Sequence, residues 1–68
     1  MFAVHQLVKI KHALETRWLD VPAGALGIVI DVHPNGTAYE IEFQDHPGVV
    51  VTVASDALDV AHWGDRRD

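Results

Sequence analysis

The chain has 68 residues, no cysteine, and ten acidic against five basic side chains, for a formal charge of −5. So short a chain makes one domain and buries only about 60% of the surface its unfolded form exposes. Disulfides and thiolate zinc sites are excluded as staples; tight packing, a histidine-held metal or association remain, and association with a protein partner or a second copy is expected.

The acidic balance disfavours nucleic acid, whose phosphates are met by a basic face. Lys9, Lys11 and Arg17 are diluted by Glu15 and Asp20, and Arg66 and Arg67 are bracketed by Asp65 and Asp68. No apolar run approaches the ~20 residues needed to span a bilayer. "MFAVHQLVKIKHAL" lacks the basic-then-apolar order of a signal peptide. A cytoplasmic setting is expected, and the absence of cysteine fits a reducing compartment.

In chain order, "QLVKIKHAL", Gln6 to Leu14, alternates Val8, Ile10 and His12 against Leu7, Lys9 and Lys11, the period of a half-buried strand. A helix over Leu7 to Trp18 competes, because Leu7, Ile10, Leu14 and Trp18 share helical spacing; β-branched Val8 and Ile10 favour the strand. "ETRWLDVPAGA" reads as an irregular loop, with Pro22 extending Val21 and Gly24 allowing a tight change of direction. "LGIVIDVH" is the next strand, with Ile28, Ile30 and Val32 inward and Val29 and Asp31 outward. Asn35-Gly36 in "HPNGT" predicts a two-residue type I′ hairpin. "AYEIEF" returns with Tyr39, Ile41 and Phe43 inward and Glu40 and Glu42 outward.

Pro47-Gly48 punctuates the following turn, and "VVVTV", Val49 to Val53, is a strand by composition. Ser55 is placed to cap one helical turn, with Asp56 at its positive end, and a last strand runs over Leu58 to Val60. The expected fold is all-β: a small, five-stranded, SH3-like, partly open barrel with one short helical turn before the last strand. It spans residues 1–62, with a charged tail over 63–68. Val8, Ile10, Ile28, Ile30, Val32, Ile41, Phe43, Val51, Val53 and Leu58 form the expected core.

Gly24, Gly27 and Val29, then Tyr39 to Phe43, then Asp56 and Leu58 form a pattern that resembles a family of short bacterial proteins without an assigned activity. Its words are a Gly-x-x-Gly-x-Val strand, a Tyr-Glu-Val-Glu-Phe strand and an acidic residue before a closing Leu strand. The likeness covers roughly residues 6 to 60 and implies the SH3-like barrel. The same words are similar, less closely, to the SH3-like domain of the nitrile hydratase β subunit, an assembly domain beside a catalytic subunit. With no cysteine cluster here, that likeness implies fold and docking, never the chemistry. The glycine-framed strand also resembles RNA-contacting ribosomal and elongation-factor modules.

Five histidines, His5, His12, His33, His46 and His62, raise a metal site, yet none shows paired ligand spacing. Glu40 and Glu42 resemble an acid–base pair, but alternation produces such pairs on any wet strand face. Ser55, Asp56 and His62 lack a nucleophile elbow. No enzyme activity, cofactor or metal is expected. Trp18 and Trp63 lie where a barrel core needs no filling, so they serve either as interface anchors or as lids on the barrel ends. Tyr39 is placed at the core edge with its hydroxyl exposed.

The expected function is therefore a small acidic protein–protein interaction module, with Trp18, Tyr39, Glu40, Glu42 and Trp63 as partner-binding candidates. Antitoxin, immunity and accessory-subunit roles all suit it. An RNA-contacting regulatory domain and a histidine-based metal or small-molecule binder are the alternatives.

Overall fold

The computed structural model describes residues 2–17 and 19–62. Its strands are β1 (Leu7–Ile10), β2 (Leu14–Glu15), β3 (Asp20–Val21), β4 (Leu26–Val32), β5 (Ala38–Phe43), β6 (Val50–Ala54) and β7 (Leu58–Val60). All pairings are antiparallel. Five strands form one sheet in the order β6-β5-β4-β1-β7, and β2 with β3 forms a second, two-stranded sheet. The all-β expectation holds, and no α-helix occurs among the described residues.

β1 is shorter than the alternation suggested. The Ile10 carbonyl accepts from Gly24 N at 2.8 Å, and Lys11 N donates to the Ala57 carbonyl at 2.8 Å. These bonds draw the chain out of the ladder after Ile10, and His12 is exposed rather than inward. The stretch expected to be irregular is a hairpin. Leu14 pairs with Val21 and Glu15 with Asp20, and the Thr16 hydroxyl both donates to the Leu19 carbonyl (2.9 Å) and accepts from Leu19 N (3.0 Å). Val21 anchors this hairpin in the core. Gly24, at φ +87°, then makes the change of direction expected of it.

The facing of β4 differs from expectation. Val29 is fully buried and opposes Ile41, while Ile28 opposes Glu42 on the outer face and Ile30 is 38% exposed. The cause is a β-bulge. Between Val29↔Ile41 and Asp31↔Glu40, β4 carries one more residue than β5, and that residue is Ile30. The bulge resets the phase, so Gly27 and Val29 face inward before it and Val32 faces inward after it.

The β4–β5 connection is a four-residue loop rather than a two-residue type I′ turn. His33 N donates to the Ala38 carbonyl across its base, and Gly36 N donates to the His33 carbonyl, both at 3.0 Å. Pro34 has no N–H to give the ladder and its fixed φ suits the second turn position. Asn35, at φ 70° and ψ 5°, has the dihedrals of the third position of a type II turn. Asn35 and Gly36 both take positive φ as the motif requires, one step further round the loop.

Pro47-Gly48 turns as expected, with Gly48 at φ +83° and Val49 N bonded to the His46 carbonyl at 3.1 Å. A 3₁₀ turn over Ser55–Ala57 precedes β7, with Asp56 in its first turn. Ser55 does not cap it by side chain; Ala54 is the cap residue, and Ser55 N is satisfied by the Thr37 carbonyl at 3.0 Å.

The core is Val8, Ile10, Val21, Val29, Tyr39, Ile41, Phe43, Val53 and Leu58, with Val32 and Val51 partly buried against it. Val21, Val29 and Tyr39 take the places expected for Ile28 and Ile30.

Candidate interaction surface on the outer sheet face

Directly paired residues of an antiparallel sheet point to the same face. The register therefore sets two rows across the outer face: Asp31, Glu40 and Thr52 in one, and Leu7, Ile28, Glu42 and Val50 in the other. Glu40 and Glu42 are outward, as the alternation required, and Asp31 stands beside Glu40.

Like charges directly opposite destabilise a strand pair, and this pair is relieved by hydrogen bonds. Asp31 Oδ1 accepts from Val32 N at 2.8 Å. Glu40 Oε2 accepts the Thr52 hydroxyl at 2.7 Å and lies 2.5 Å from His33 Nε2. Glu42 Oε2 accepts Gly48 N at 2.8 Å and so ties down the β5–β6 turn. Each glutamate thus supports a neighbouring strand or turn instead of facing the other as half of an acid–base pair.

The Thr52 hydroxyl and the His33 imidazole together hold the Glu40 carboxyl below the usual carboxylate range, against the opposing effect of partial burial. A depressed folded-state value means that the stabilisation is present above the unfolded value and is lost as pH falls through the folded one. Glu40→Gln is accordingly expected to cost about 0.5–1.5 kcal/mol at neutral pH. The gap to wild type should narrow as the solution is acidified from neutral to below the ordinary carboxylate value and on through the lower folded-state one. Urea melts across that range measure it; a gap that stays constant would mean that the charged form is not the stabilising one.

The structure distributes the other candidates unequally. Tyr39 is 1% exposed, and its hydroxyl accepts from Phe2 N at 3.0 Å, so the expected exposed hydroxyl is corrected to a bonded, buried one. Trp18 and Trp63 lie outside the described residues, as does the tail 63–68. Of the histidines, His33 is engaged with Glu40, and no group of three or more metal-capable side chains gathers among the described residues. No pocket opens among the described residues. None of the described helical turns is long and apolar enough to cross a membrane.

What sequence reasoning missed is the apolar content of the outer face and its edge. Val50, the first residue of the edge strand β6, is 48% exposed, and Val49 just before it is 38% exposed. The signal was present in "PGVVVTVAS", Pro47 to Ser55, a run without a single charge. Comparison of the chain with protein-family models, curated proteins and solved structures finds no match.

Proposed function

We propose that this chain is a small acidic protein–protein interaction module built on an SH3-like, partly open barrel. The strand order, the β2–β3 hairpin inserted between β1 and β4, and the 3₁₀ turn ahead of β7 all support that curled architecture. Kinship with the short bacterial family, and more distantly with the SH3-like assembly domain of the nitrile hydratase β subunit, belongs to the same proposal. Its motifs sit at Gly24, Gly27 and Val29 and at Tyr39 to Phe43.

The observation that carries the reading is the edge strand β6, preceded by exposed Val49 and beginning with exposed Val50, which lies directly beside the outer carboxylate Glu42. Open sheet edges and apolar surface rimmed by charge are what proteins use to recruit other proteins. An acidic rim of this kind suits a partner with a basic surface. Antitoxin, immunity and accessory-subunit roles in the cytoplasm all require binding alone and fit these features.

Affinity capture from the producing cell tests the reading, with the wild-type chain and with Val50→Lys as parallel baits. A protein retained stoichiometrically by wild type and lost by the variant is the expected result. Retention of nothing, further copies of the chain included, by either bait would overturn it.

A further inference from the structure

The geometry points to a specific occupant of the β6 edge: a second copy of this chain, paired antiparallel about a two-fold axis through Thr52. This proposal rests on the interaction-module reading and names its partner.

The direction of the free backbone groups follows from the ladder. Ser55 N donates to the Thr37 carbonyl, so Ser55 and Thr37 form a hydrogen-bonded pair between β6 and β5. Hydrogen-bonded and non-bonded pairs alternate in an antiparallel ladder, which makes Val53↔Tyr39 and Val51↔Ile41 the bonded pairs. On the opposite side of β5, Gln44 N donates to the Leu26 carbonyl. Even-numbered residues of β5 thus bond β4 and odd-numbered ones bond β6, in agreement. Val50, Thr52 and Ala54 therefore direct their N–H and C=O groups away from β5, to the side where no other strand pairs among the described residues.

Those three residues are self-complementary under a two-fold operation. With Thr52 opposite Thr52 of the second copy, Val50 lies opposite Ala54 of that copy and the reverse, giving about six inter-chain backbone hydrogen bonds. Small and β-branched side chains then meet on the outer face, while on the inner one Val51 lies level with Val53, which its own core already buries.

Charge selects a second copy at this edge. The chain carries −5, so two copies repel wherever acidic surfaces meet, yet Pro47 to Ser55 contains no charged residue. The other edge strand, β7, is only three residues long and has Asp59 at its centre, a charged and shortened edge of the kind that blocks pairing. β6 has no charge, proline or bulge. A five-residue strand pair is smaller than a standard interface, so the association should depend on concentration.

Light scattering across chain concentrations from about 10 μM to about 1 mM, at roughly physiological salt, should show the mass rising from 7.5 kDa toward twice that value. Thr52→Cys introduces the chain's sole thiol, and opposed Cα atoms of a bonded pair lie about 5.5 Å apart, inside the disulfide range. Mild oxidation should therefore cross-link Thr52→Cys at high yield and leave Asp59→Cys, on the other edge, largely monomeric.

Thr52→Pro removes an outward N–H and leaves the backbone ladder to β5 in place, losing on that side only the hydroxyl bond to Glu40, and should remain folded by circular dichroism while staying monomeric at the highest concentration. Should it unfold, Thr52→Lys is read instead, since it sets two like charges face to face. A monomer throughout, or a dimer that neither cross-links at Thr52 nor responds to the edge variant, overturns the proposal. If the chain alone is monomeric but Val50→Lys abolishes capture of a different protein, self-pairing falls and the module reading stands. If nothing is captured and the chain is monomeric, both fall.

Discussion

Gly27→Ala should lower stability by about 1–3 kcal/mol, and Gly27→Val should leave no cooperative unfolding transition at all. A Cβ at Gly27 would lie 2.5 Å from Ile41 Cγ2, 3.1 Å from the Glu42 carbonyl oxygen and 3.2 Å from Phe43 Cδ1. Neither of the two nearest can withdraw cheaply. The Glu42 carbonyl belongs to the strand that pairs with β4, and Ile41 is fully buried, so its methyl has no space to rotate into. The two extra methyls of valine exceed what a chain of this length can absorb, given a total stability of about 3–10 kcal/mol at typical per-residue values. Alanine also reduces the entropy of the unfolded chain, which returns up to about 1 kcal/mol. Urea melts followed by circular dichroism report both variants. An unchanged midpoint for Gly27→Ala would show that β4 and β5 stand further apart than the Gly27↔Phe43 pairing places them.

Tyr39→Ala is the second large effect, expected at about 3–5 kcal/mol, with Tyr39→Phe near 1 kcal/mol. The ring fills the core beneath β5 and meets Phe2 edge-on, with centroids 5.3 Å apart and planes at 74°. Removing the ring opens a cavity; removing only the hydroxyl takes the acceptor from Phe2 N. The pair of variants therefore separates packing from hydrogen bonding, and thermal melts measure each. A contact residue for a partner would behave in the opposite way, losing capture at an unchanged melting temperature.

Much of the architecture was readable from alternation, and the exceptions have physical causes. In Ala38–Phe43 the two faces differ sharply in polarity, so Tyr39, Ile41 and Phe43 could be assigned inward and Glu40 and Glu42 outward. In Leu26–Val32 strict alternation groups Val29 with Asp31 and so sends it outward, whereas a bulge at Ile30 shifts the phase between the two and turns Val29 inward. Gly27 held the missing clue, because glycine inside a strand pattern often marks close backbone approach. β2 and β3 are two residues each, too short for any periodicity to show. On the outer face, the carboxylates were legible but the pairing of His33 with Glu40 was not. It depends on a four-residue loop bringing His33 level with Ala38, whereas Asn35-Gly36 suggested a tighter turn.

The position of β1 between β4 and β7 governs when the molecule can become whole. Ile10 pairs with Leu58, so β1 completes its ladder only after every strand from β2 to β6 has been synthesised. The β4–β5–β6 meander can assemble from neighbours as they emerge, but β1 remains half-satisfied until β7 arrives. Closure by such distant segments makes folding slow relative to helical domains of equal size. Through that interval β1 presents a second unpaired edge besides the permanent one at β6, and high expression would bring incomplete chains together there.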